Sequence, residues 1–174
     1  MRRCLIQAAL VSLLIAFALT SAWATESSKK DVIGPWEIEA TFKNDKFDHC
    51  AITRNVDEIA VTFIRTDDGL SLVLQSPNWK LDRGKSYPVR MKAGAANWTT
   101  DVAAESDSVS VPVADARFKT AVRLANVLLV EGAGSTIRVP LSQSGAALTR
   151  LEECVAKNSR ATETNPFVAP KGTP

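Results

Sequence analysis

The sequence predicts a mostly β domain of the α+β class: an antiparallel β-sandwich or partly open barrel with two helices packed on it. Short runs that alternate apolar and polar residues recur from Trp36 to Leu141, each bounded by turn-forming residues. Only two stretches, 115–126 and 144–157, switch to a helical spacing. One cysteine pair, Cys50 and Cys154, spans that region.

The chain of 174 residues opens with Arg2 and Arg3, an apolar run from Leu5 to Leu19 and the small-residue site Ala22-Trp23-Ala24. These are the three parts of a secretory signal peptide, with cleavage expected after Ala24. The run is short for a bilayer span, so residues 1–24 are expected to leave no stable membrane anchor. Cys4 precedes the run and goes with it, whereas a lipidated cysteine would follow it. Export to the periplasm or beyond predicts that Cys50 and Cys154 form one disulfide. By the chain-entropy model, closing a loop of that length stabilises the fold by on the order of 4–5 kcal/mol. Of the 21 basic residues, Arg2 and Arg3 belong to the signal, which leaves the mature chain balanced against its 19 acidic residues. That balance gives no support for a nucleic-acid or anionic-membrane partner.

Residues 25–33 lack an apolar period and read as a flexible leader, so the domain is expected over 34–157. Trp36 to Phe42 places Trp36, Ile38, Ala40 and Phe42 on one strand face, and after the turn 43–46 the chain returns from Phe47 to Val56 with Cys50 and Ile52 sharing a face. Ile59–Thr66 and Leu70–Ser76 form a hairpin across Asp67-Asp68-Gly69, where Asp-Gly supplies positive φ. Tyr87–Ala93 continues the block as a meander, with Pro88 favouring an edge or strand start. Trp98–Ala104 and Val109–Val113 are two further strands. Phe118, Ala121, Val122 and Ala125 then mark a helix capped by Asp115. Val127–Glu131 and Thr136–Leu141 are the last strands, and Ser144 caps a helix whose inner side carries Leu148, Leu151, Cys154 and Val155. From Asn158 to Pro174 the prolines and small polar residues predict a disordered tail.

No catalytic, metal or nucleotide motif stands out, and no cofactor is expected. His49 is the single histidine, which removes most triads and histidine-based zinc sites. Beside Cys50 it points to the opposite strand face, and with Asp45 and Asp48 it forms at most a weak metal site on a turn. Glu58, Asp67 and Asp68 are acidic but lack calcium-loop spacing. Gly132-Ala133-Gly134-Ser135 follows a strand without the Lys-Thr or Lys-Ser ending of a phosphate loop. Asn97-Trp98-Thr99 matches a glycosylation triplet without establishing a host that uses it. Trp36, Trp79, Tyr87 and Trp98 are the aromatic residues that could face a ligand or partner. An enzyme of unrecognised type would draw on carboxylates such as Glu37 or Asp101.

Trp36, Phe47-x-His49-Cys50, Trp79-x-Leu81-x-x-Gly84-x-x-Tyr87-x-Val89 and Leu141-x-x-Ser144-x-x-Ala147-Leu148-x-x-Leu151-x-x-Cys154-Val155 together form a pattern over residues 34–156. It resembles that of small periplasmic proteins of alphaproteobacteria and, more distantly, the invasion-associated locus B family. The resemblance implies a β-rich envelope protein without an assigned enzymatic activity, in some cases linked to host association or stress. The distant family spaces its cysteines differently, so no invasion role passes to any residue here. The sequence therefore leads to a non-catalytic exported binding or accessory protein with a protein or envelope partner. Its alternatives are a carrier of a small apolar ligand in a barrel interior and an enzyme.

Overall fold

The computed structural model describes residues 30–163; the expected signal peptide, the leader up to Lys29 and the tail from 164 onward lie outside the described residues. Ten strands and two helices follow one another as β1 (Asp31–Ile33), β2 (Trp36–Lys43), β3 (Lys46–Val56), β4 (Ile59–Arg65), β5 (Leu70–Gln75), β6 (Ser86–Ala93), β7 (Ala96–Ala104), β8 (Ser108–Pro112), α1 (Ala116–Leu124), β9 (Val127–Glu131), β10 (Thr136–Pro140) and α2 (Ser144–Glu163). All pair antiparallel in one sheet ordered β1-β2-β3-β4-β5-β8-β7-β6-β9-β10. The sheet does not close, but it curls until the Arg54 guanidinium of β3 donates to the Pro140 carbonyl of β10, and Trp36 Nε1 donates to the Ser142 carbonyl at 2.9 Å.

The mostly β, α+β expectation holds, with differences that have physical causes. Asp31–Ile33, expected within the flexible leader, pairs with Trp36–Ile38 across Gly34, whose φ of +56° makes the turn. Three residues are too few to show a period. At the other end α2 runs to Glu163 rather than stopping near Lys157. No proline or glycine intervenes before Pro166, and extending an existing helix needs no new nucleus. The meander breaks after β5, which pairs with β8 instead of β6. The hairpin at Asp67-Asp68-Gly69 does not use the expected positive φ at Asp68, and Gly69 is nearly extended at +159°. That turn chemistry sits instead at Asn44 and Asp45, with φ of +52° and +61°.

Alternation along each strand puts one side chain in two into a continuous core centred on Trp36, Ile52, Phe63, Leu72, Val111, Leu128, Val139 and Leu151. Both helices dock on this face, α2 against β2, β3 and β4, and α1 against β6 and β7. Asp115 caps α1 as expected, accepting from the backbone of Arg117 at 2.7 Å and of Phe118 at 3.2 Å. Ser144 does not cap α2. Its buried hydroxyl donates to the Val122 carbonyl at 2.7 Å, satisfying an acceptor in the last turn of α1 and joining the helices. They approach so closely there that a Cβ on Gly145 would stand 3.0 Å from the Arg123 carbonyl. The Cys50–Cys154 disulfide, across 104 residues, ties α2 to β3.

Candidate functional site

Strands β5 to β10 and the segment 76–85 enclose a half-open apolar cavity of 220 Å³. Its floor is built from inward-facing residues of adjacent strands: Leu74 of β5, Val109 of β8, Val102 of β7, Val89 of β6, Val130 of β9 and Ile137 of β10. Register explains the convergence, since Leu74 lies opposite Val109 and Val130 opposite Ile137. Trp79, Leu81, Tyr87 and Pro88 form the rim, with the turn Gly132-Ala133 and Ser135 on the far side.

The rim is held by backbone bonds. Ser76 and Leu81 N–H groups donate to Asp107 and Ser106 at 3.0 and 2.9 Å, and Gly84 donates to Ala104 at 2.8 Å. These fasten the segment that carries Trp79 and Leu81 to the β7–β8 turn. Lys85 lies over the Tyr87 ring at 5.4 Å, outside the apolar wall. Of the side chains lining the cavity, Tyr87 alone is titratable, so the surface offers apolar area, aromatic faces and a few peptide groups.

The four aromatic residues singled out in the sequence do not share one surface. Trp79 and Tyr87 meet at this rim. Trp36 is fully buried, 6.0 Å from the Phe63 ring with the Arg54 guanidinium 5.3 Å above it, and is a core residue. It is inward because β2 turns its first residue toward the core face shared with Ile38. Trp98 stacks edge-on against Phe118 at 4.6 Å and lines a separate 90 Å³ cleft at the start of α1. The cavity's aliphatic floor was not read from the sequence, because it depends on the non-sequential pairings β5–β8 and β6–β9.

The polar candidates take ordinary places. His49 Nδ1 shares a 2.6 Å hydrogen bond with Asp48, whose other oxygen meets Lys43 Nζ at 3.0 Å. His49 and then Lys43 hold the Asp48 carboxyl below its usual range. Glu58 lies on the β3–β4 turn and Asp67 and Asp68 on the β4–β5 turn, at opposite ends of the seven-residue β4, so they form no cluster. Glu37 pairs with Lys30 at 3.0 Å, and Asp101 is exposed. A second, wider groove of 340 Å³ carries Asp57, Glu58 and Asp107, of which Glu58 accepts from Asn78 and Asp107 from Gln75. Among the described residues no three His, Cys, Asp or Glu side chains are grouped to hold a metal, and no helix is long and apolar enough to cross a membrane. Gly132–Ser135 is a turn, closed by Gly132 N–H to Ser135 at 3.0 Å. Compared with protein-family models, curated proteins and solved structures, the chain matches none.

Proposed function

We propose that this is a non-catalytic exported binding protein that takes an apolar group of its ligand into the cavity rimmed by Trp79 and Tyr87. The observation that carries the reading is an open 220 Å³ apolar cavity whose lining holds no carboxylate, imidazole or amine. Apolar cavities of about 150 Å³ take up a benzene-sized guest, so this one has room for an aromatic side chain or a short acyl segment. Its chemistry suits holding a group, since its wall is mainly aliphatic and aromatic. Trp79, Leu81, Tyr87 and Val89, four residues of the motif that resembles those of periplasmic envelope proteins, all line it. That coincidence supports an envelope role, and the disulfide suits an oxidising compartment.

The test is a titration with N-phenyl-1-naphthylamine followed by its fluorescence. Saturable one-to-one binding is expected, abolished by Val109→Phe, which fills the cavity from β8 without changing a charge. Absence of saturable binding by the folded wild-type protein, or unchanged binding by a folded Val109→Phe variant, overturns the reading.

A further inference from the structure

We infer that the occupant of this cavity is one apolar side chain of an extended peptide that adds to the sheet along β10, which deepens the reading above and rests on it. The sheet is open, and β10 is an edge paired with β9 alone. Every β9–β10 partner pair follows one register, and the flanking bonds fix its phase: Leu141 N–H donates to Asn126 at 2.8 Å, and Gly132 N–H to Ser135 at 3.0 Å. Because bonded and non-bonded pairs alternate in an antiparallel ladder, Ile137 and Val139 bond to β9 while Thr136 and Arg138 turn their N–H and C=O groups away from it. No group among the described residues hydrogen-bonds to those outward amides or carbonyls. Pro140 has no N–H to offer, and its carbonyl is taken by Arg54, so the free stretch ends there.

The side chains of β10 then specify the peptide. Ile137 lines the cavity, so a residue opposite it on an added strand would project inward beside the cavity's apolar wall. Arg138 is exposed on the outer face with no carboxylate in ion-pair reach among the described residues, whereas Lys92, two strands away, is paired with Glu131 at 2.6 Å. The fitting partner is therefore an extended segment with an apolar residue opposite Ile137 and an acidic one beside it opposite Arg138. Pairing of two β10 strands centred on Arg138 is disfavoured, because it would set like charges face to face. Strand addition of this kind takes affinity from main-chain bonds and specificity from alternate side chains.

The experiment measures anisotropy of a labelled heptapeptide that alternates glutamate with valine and a central leucine, against the full mature protein. Three comparisons are made: the peptide N-methylated at its pairing amides, its lysine-for-glutamate counterpart, and the variants Thr136→Pro, Arg138→Glu and Val109→Phe. Thr136→Pro removes an outward N–H without removing a β9–β10 bond. Binding is expected to weaken by about tenfold or more on N-methylation, from loss of paired main-chain groups. Arg138→Glu is expected to reverse the preference between acidic and basic peptides. N-methylated and unmodified peptides binding equally, or no peptide binding, overturns the inference. In that event, naphthylamine binding still blocked by Val109→Phe leaves the cavity reading intact as a small-ligand carrier, and its loss as well removes both. If Thr136→Pro does not fold, the N-methylated peptide decides.

Discussion

The two ends of strands β2 to β5 share one sheet and one inner face, yet they are finished differently. Toward the β4–β5 turn, the row Cys50–Arg65–Leu70 lies under α2, with the disulfide and the Arg65–Glu152 ion pair at 3.3 Å fastening helix to sheet. Toward the other end, the row Arg54–Val61–Leu74–Val109 runs into the cavity, where the rim is a loop held by main-chain bonds rather than a docked helix. One end is closed by covalent and helical cover. The other leaves apolar surface reachable. The difference teaches that stability and the proposed binding surface are separated along the strands, so each can be perturbed without the other.

The largest break in that comparison comes from the disulfide. Cys154→Ala, or reduction of the wild type, is expected to lower unfolding free energy by on the order of 4 kcal/mol through the freedom returned to the unfolded chain. Denaturant unfolding with and without reductant measures it, and naphthylamine affinity in the fraction that remains folded should stay unchanged. A shift under about 1 kcal/mol would mean that packing alone holds α2 down.

The two tryptophans sharpen the contrast. Trp36→Ala removes a fully buried ring between Phe63 and the Arg54 guanidinium, and a loss of about 3–5 kcal/mol is expected. Trp79→Ala, on a partly exposed rim, should cost about 1 kcal/mol or less while weakening naphthylamine binding. Paired melting and binding curves check both, and equal destabilisation would erase the distinction between a core ring and a rim ring.

These residues also show how much of the fold is legible in the sequence. Alternation located nine of the ten strands, since one buried face imposes a period of two whatever the tertiary neighbours are. The Asp115 cap was likewise local. Trp36 and Trp79 could not be separated, because both stand among apolar neighbours and their fates depend on what lies opposite. For Trp36 that is the curl that brings Ser142 to its indole N–H, and for Trp79 it is the anchorage of its loop to β7–β8. The cavity was illegible for the same reason: its floor is assembled by β5–β8 and β6–β9 pairs, contacts that no local pattern encodes. Ser144 shows the opposite error, a correct helix start assigned to a hydroxyl that serves the neighbouring helix.

A smaller effect follows from acid titration. The Arg117 side chain first, and the backbone N–H groups of the first turn of α1 with it, hold the Asp115 carboxyl below its ordinary value. A carboxyl depressed in the folded state stabilises it above the unfolded value and loses that contribution as pH falls through the folded value. Melting temperature should therefore drop on going from pH 5 toward strong acid. Asp115→Asn keeps a good capping side chain but flattens part of that slope. A wild-type slope in the variant would show that the cap carries no linkage.

The smallest effect tests where the helical cover ends. Arg150 of α2 donates through Nε to Asp31 at 2.6 Å and through Nη1 to Glu153 at 2.8 Å, and the bond to Arg150 is the leading cause that holds the Asp31 carboxyl low. The pair is solvent-exposed, so it contributes little to global stability and is screened by salt. Its effect should be local: β1 has three residues and hydrogen-bonds to β2 on one side only. Arg150→Met is expected to leave the melting temperature nearly unchanged while speeding amide exchange in β1 relative to β2. The same acceleration should appear in the wild type as pH falls through the depressed Asp31 value, once intrinsic exchange rates are divided out, and in high salt. If β1 exchanges no faster in the variant, the three backbone pairings with β2 hold it alone, and α2 secures the sheet only from β2 inward.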